Sequence, residues 1–150
     1  MTGADEVVIL LKKPLREVVD TLLEPIRVYN RSISGKGYYL KPVHHVVKKA
    51  GGRKRIYYYY GRYWYTVEYR GRSKGGKVIL RWHYRGRDTP PGLPPPPPLP
   101  LEGASFYHYE GEEKVVRVSV RVGWRRIERL VKLFEDLGVL EKTVPPKGGG

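Results

Sequence analysis

Apolar positions along this chain change their spacing several times, and each change predicts an element. Glu6–Leu11 (EVVILL) is a continuous, β-branched apolar run, the pattern of a buried strand. Leu15, Val18, Val19, Leu22, Leu23 and Ile26 then recur three and four residues apart, with Arg16, Glu17 and Asp20 between them. That spacing predicts an amphipathic helix. Pro14 suits its first position, and Pro25 is expected to kink or stop it. Asn30–Gly37 (NRSISGKG) reads as a loop by its polar and glycine content. Tyr38–Lys49 follows as a strand in which Pro42 points to an edge or a bulge. His44 and His45 are adjacent, so on a strand they face opposite ways and do not readily chelate one metal.

The stretch Arg53–Arg87 builds two expected hairpins. Gly61-Arg62 fits a two-residue turn with glycine first, and Gly71–Gly76 makes a longer connection. Pairing Arg70 with Lys77 sets Val67 opposite Leu80, Tyr65 opposite Trp82 and Tyr63 opposite Tyr84, giving one continuous apolar face together with Tyr69. Ile56, Tyr58 and Tyr60 join that face across the first turn. The other face receives Arg53, Arg55, Tyr57, Tyr59, Arg62, Trp64, Arg81, His83 and Arg85, with Arg55 opposite Glu68. A one-residue slip exchanges the faces of the affected strand, so these assignments stand or fall with the register.

Residues 86–104 form a proline-rich connector, expected to be extended polyproline II. It reads as a stiff spacer, or alternatively as a ligand for a proline-recognising domain. Phe106–Tyr109 and Val115–Val122 predict a second β region. In the latter Val116, Val118, Val120 and Val122 share one face, and Arg117, Ser119 and Arg121 the other. Trp124, Ile127, Leu130, Val131, Phe134 and Leu137 then mark a last amphipathic helix that Gly138 stops. Its cations Arg125, Arg126, Arg129 and Lys132 sit in the first half, against the helix dipole, and either reinforce a binding surface or form a solvated face. The expected organisation is one domain over residues 1–142 and a disordered tail from Thr143 to Gly150.

Charge sharpens this picture. Arg31–Arg87 holds 16 of the 29 basic residues and only Glu68 of the 15 acidic ones, a net of +15, while the rest of the chain sums to −1. Ten of 13 tyrosines and two of three tryptophans lie in the same window. Such a surface attracts polyanions, and its rings offer faces to bases. Without cysteine there are neither disulfides nor thiolate metal sites. No apolar run reaches membrane-spanning length, and the acidic start MTGADEVVIL is the wrong charge for a secretory signal, so a cytoplasmic, nucleoid-associated protein is expected. Many charges and proline-rich loops also suit a thermophile.

Lysine and arginine displace counterions from phosphates, and exposed rings stack on unpaired bases that a duplex hides. The candidate stacking residues are Trp64, Tyr57 and Tyr59. The candidate polar contacts are Arg53, Arg55, Arg62, Arg81, His83, Arg85, Arg117 and Arg121. The exposed aromatics could instead form a subunit interface, where aromatic residues and arginine are enriched, and a homo-oligomer (dimer or tetramer) is expected. A catalytic role is not: metal-dependent nucleases need several carboxylates, and His83 has no evident second acid-base partner. No cofactor or metal is called for.

In the order of its elements the chain resembles the ThermoDBP-type single-stranded DNA-binding proteins of hyperthermophilic archaea. The resemblance rests on the helix Pro14–Tyr29, the hairpins around IYYYYGRYWYTVEYR and KVILRWHYRGR, and the helix WRRIERLVKLFEDLG. It covers the chain up to Leu140, is architectural, and carries over no individual residue. Members of the founding type have a C-terminal leucine zipper, which this chain replaces with one short helix. The expected fold is α+β, a curved antiparallel sheet covered on one face by two helices, with an open basic-aromatic face. The expected function is non-catalytic binding of single-stranded nucleic acid, DNA favoured, with little sequence specificity. The alternatives are an RNA-binding protein of a ribonucleoprotein particle and a structural protein that coats duplex DNA.

Overall fold

The computed structural model describes residues 5–146. The fold is α+β: an open antiparallel sheet of seven strands with two helices. The strands are β1 (Glu6–Leu11), β2 (Tyr38–Ala50), β3 (Arg53–Arg72), β4 (Val78–Gly86), β5 (Ser105–Tyr109), β6 (Val115–Ser119) and β7 (Leu140–Val144). The helices are α1 (Leu15–Ile33) and α2 (Trp124–Asp136). Strand order is β2-β3-β5-β6-β1-β7, and β4 pairs with β3 outside this path. Among the described residues no helix is long and apolar enough to cross a membrane.

One buried cluster joins the apolar stripes of both helices to a single face of the sheet. Leu15, Val18, Leu23, Ile26 and Ile33 of α1 meet Ile127, Leu130 and Phe134 of α2 over Ile9, Leu40, Trp64, Phe106, Val116 and Val118. α1 passes through Pro25 instead of stopping there. A proline inside a helix removes one hydrogen bond and costs about 3 kcal/mol. Beyond it, Ile26, Tyr29 and Ile33 keep the apolar stripe in the core, and their burial outweighs that loss. The expected loop Asn30–Gly37 is therefore mostly helix, and Gly37 ends it at a positive φ of 78°. Asn30 finishes the junction with two hydrogen bonds of 2.8 Å to the backbone of Leu40.

The largest departure from the sequence reading is at Gly61-Arg62. No turn forms there; β3 is one strand of 20 residues, a span of roughly 65 Å at strand rise. Gly61 and Arg62 lie at a bulge opposite Pro42, where the pairing shifts from Lys41↔Tyr63 to Val43↔Tyr60. Glycine within a strand marks such bulges and close approaches, and a Cβ on Gly61 would meet the Tyr63 ring at 3.4 Å. Arg55 accordingly pairs with Lys48 and Tyr109, not with Glu68, which lies opposite Arg81.

The bulge is also where the sheet branches. Along one edge β3 keeps β2 from Arg53 to Thr66. Along the other it pairs with β5 over Arg55–Tyr59 and with β4 from Trp64 onward. Between them the connector's end bonds to Tyr60, whose amide donates to Ala104 O at 2.9 Å while Gly103 N donates back at 2.9 Å. The connector thus packs as a strap: Leu99 and Leu101 are buried, and the Tyr29 hydroxyl donates to Pro94 O at 2.6 Å. Past Thr66, β3 and β4 run on as a two-stranded arm.

Observed pairs in the arm are Tyr65↔Tyr84, Val67↔Trp82 and Tyr69↔Leu80, two residues from the expected register. A slip of two keeps together the residues expected to share a face, although their partners differ and that face is the open one instead of the core one. β6 ends at Ser119, and Val120–Val122 turn as a short 3₁₀ segment, shorter than the expected strand Val115–Val122. Thr143 and Val144, placed in the expected tail, belong to β7; the last residues of that tail lie outside the described range.

Trp64 is fully buried, packed edge-on against Tyr29 at 6.1 Å and Tyr38 at 6.5 Å. Trp64→Ala should therefore cost about 3–5 kcal/mol of stability in urea unfolding. A cost below about 0.5 kcal/mol, usual for a surface site, would contradict this packing.

Candidate nucleic-acid interface

Because β3 is continuous, its alternation fixes one solvent-facing side along its whole length. Tyr60 and Trp64 enter the core. Tyr57, Tyr59, Tyr63, Tyr65 and Tyr69, at odd positions, share the face turned away from the helices. Cross-strand neighbours extend this face: His44 opposite Tyr59, Tyr39 and Tyr84 opposite Tyr65, and Tyr107 opposite Tyr57.

These side chains form an unbroken row. Tyr109, Tyr107, Tyr57, Tyr59, His44, Tyr63, Tyr84, Tyr65, Trp82 and Tyr39 follow one another in that order, with neighbouring centroids 4.9 to 6.5 Å apart. Several pairs meet edge to face, including Tyr39–Trp82 at 85° and Tyr107–Tyr109 at 86°. Cations lie over the same rings: Arg53 over Tyr109 at 3.7 Å, Arg55 over Tyr107 at 4.8 Å, Lys48 over Tyr57 at 5.1 Å and Arg117 over Tyr109 at 5.2 Å. At the arm Trp82 is 49% and Tyr84 53% exposed, with Leu80 and Tyr69 also uncovered. Exposed apolar patches of this kind mark interaction sites in folded proteins.

Two recesses flank Tyr59. One, of about 420 Å³, is lined by Arg55, Tyr57, Tyr59, Arg117, Arg121 and Glu6 among others. The second, of about 340 Å³, shares Tyr59 and is lined by Arg62, Tyr63, Arg87, Arg126 and Glu102. In the first, the Tyr107 hydroxyl donates to the buried Glu6 carboxylate, which also faces Arg117 at 3.8 Å. Burial, reinforced by Glu6, pushes the Tyr107 phenol above its ordinary range. Arg55 Nη1 donates to the Tyr57 hydroxyl at 3.2 Å, which holds its guanidinium firmly charged.

Of the candidates from sequence, Arg55, Tyr57, Tyr59, Arg117 and Arg121 come together at the first recess. Arg53 stands beside them on Tyr109, ion-paired to Glu112. Arg62 lines the second recess but pairs with Glu102 at 3.0 Å. Trp64 leaves the set altogether, being core. Arg81, His83 and Arg85 lie on the arm's opposite face, where Arg85 Nε donates to Thr66 Oγ1 at 3.0 Å. Arg126, from the first turn of α2, reaches the second recess, whereas Arg129 donates to Glu102 O at 3.2 Å.

The rings that sequence reasoning assigned to the core, Tyr63, Tyr65, Tyr69, Trp82 and Tyr84, instead dominate the open face. The expected turn at Gly61-Arg62 reflected the chain and so inverted every face after it. Reading Arg53–Arg72 as one alternating strand would have placed them correctly. Tyr39, His44, Tyr107 and Tyr109 depended on strand pairing and had no local signal.

Comparison with family models, curated proteins and solved structures finds no match to this chain.

On the covered side, the Tyr58 hydroxyl lies 2.7 Å from Nε2 of buried His108, whose Nδ1 lies 2.8 Å from Tyr109 O. Burial lowers the pKa of neighbouring His45, with Lys41 and His44 adding to the effect. Burial pushes the Tyr58 phenol up to about 12 from 10.0. A phenol held neutral by the fold contributes stability that is complete below pH 10 and lost as pH rises through about 12. The urea midpoint should thus fall between those values. Tyr58→Phe should lower stability at neutral pH, where His108 loses its partner, yet flatten the alkaline decline. An equally steep decline in the variant would assign it to other groups.

Proposed function

We propose that this chain binds single-stranded nucleic acid, DNA favoured, without catalysis and with little sequence preference, along the open face of its sheet. The row of ten neighbouring rings on that face carries the proposal. A ring face accepts any base, and stacking needs bases that are unpaired. The arginines beside the row supply the complementary force, since each phosphate they neutralise releases a counterion. Duplex coating would use the same charge but leave the rings without a partner. The order of elements in the sequence, which resembles that of the ThermoDBP-type proteins, agrees with this reading, and such binding would place the protein with the nucleoid.

Affinity for single-stranded DNA, single-stranded RNA and duplex DNA at two salt concentrations tests this. Single strands should bind more tightly than duplex. About four to six phosphate contacts give a log–log salt slope near −3 to −4. Trp82→Ala should lower single-strand affinity by about 1–3 kcal/mol. Equal affinity for duplex and single strand, or a slope near zero, would sink the proposal.

A further inference from the structure

The first recess differs from the rest of the open face in shape and in unused bonding capacity. It leaves the row of rings sideways, from Tyr57 and Tyr59 toward Arg117 of β6 and Arg121 in the turn after it. Its far wall carries Glu6 and Asp5. A polynucleotide continuing past the arginines would meet the Asp5 carboxylate, which repels its phosphodiesters. The row itself offers the continuous path, so the recess is a side chamber that suits the end of a strand.

The donors around it are underemployed. Arg55 and Arg117 each bury an Nε that has no hydrogen-bond partner. Arg55 spends one Nη on the Tyr57 hydroxyl, and Arg117 has a single loose ion pair of 3.8 Å. Arg121 is exposed and forms no ion pair among the described residues. Guanidinium presents five donors in a planar fork that matches a phosphate, so three such groups around one opening form an anion site. Glu6 does not cancel it, because Tyr107 and Arg117 already engage its carboxylate. At the mouth, the Tyr57 and Tyr59 rings lie within 10° of parallel with centroids 6.4 Å apart. That separation is close to two base-stacking intervals of about 3.4 Å.

We propose that this recess is a terminal-nucleotide site: it takes the last nucleotide of a single strand, with the terminal phosphomonoester held by Arg55, Arg117 and Arg121. The proposal rests on the single-strand reading above and adds recognition of the strand's end. A phosphomonoester carries nearly one more negative charge at neutral pH than an internal phosphodiester, and strong acceptor oxygens for the three forks. Either end can supply that group, so both are tested.

The experiment measures affinity for one short oligothymidylate in three forms: 5′-phosphorylated, 3′-phosphorylated and hydroxyl-ended at both termini. One phosphorylated form should bind about tenfold more tightly than the hydroxyl-ended form, the gain expected of a charge-assisted contact. Arg121→Gln and Arg117→Gln should bring that ratio to near one while weakening all forms. Trp82→Ala should weaken all forms and keep the ratio. Three equal affinities, or a preference that survives both arginine variants, overturn the terminal site while leaving the open-face reading intact. Failure of the hydroxyl-ended strand to bind at all would overturn the open-face reading itself.

Discussion

The unbroken alternation of β3 is the constraint on which the rest of the molecule depends. A strand sends successive side chains to opposite faces, so one continuous strand of 20 residues commits its odd and even positions once. Tyr60 and Trp64 go into the core under the helices; Tyr57, Tyr59, Tyr63 and Tyr65 go to solvent. The bulge at Gly61-Arg62 preserves that commitment while exchanging β5 for β4 on the strand's edge. A turn at the same place would have folded the aromatic row onto the core and left no platform.

The open face combines features that a monomeric domain would normally avoid. An arm of two strands is marginal alone, and exposed rings with free strand edges invite unwanted pairing. Here basic side chains accompany the row from Arg53 over Tyr109 through Lys48, Arg55 and Arg117 to Arg87 over Tyr63. Like charge opposes contact between copies and favours a polyanion. Cation–ring contacts also hold the guanidinium groups in place, which would lower the ordering cost of binding an anion. Tyr107 shows how tightly this surface is built: it sits on the open face yet is buried, with Arg55 over its ring.

Much of the scaffold was legible from sequence. A continuous apolar run located β1, and period-3.6 runs located α1 and α2, to within a few residues, because burial leaves a direct imprint on residue type. The concentration of arginine and tyrosine marked the segment that carries the open aromatic face. What misled was the ambiguity of glycine: Gly61 reads equally as a turn or as a bulge, and only the pairing of β2 on both sides of Pro42 decides it. Trp64 was misplaced for the same reason, as its neighbours Tyr63 and Tyr65 are equally aromatic and only parity separates them. Composition therefore located the surface, while long-range strand order decided which residues form it. Tyr107 and Arg117 become neighbours of Tyr57 only through β5 and β6.

The most direct test of the central claim is the fluorescence of Trp82 as the sole tryptophan, in a Trp64→Phe, Trp124→Phe protein. Titration with oligothymidylate should quench most of its emission at low salt, with recovery as salt is raised, because bases stack on the exposed ring. Emission unchanged by a strand that binds would contradict the account, since the ligand would then lie away from the aromatic row.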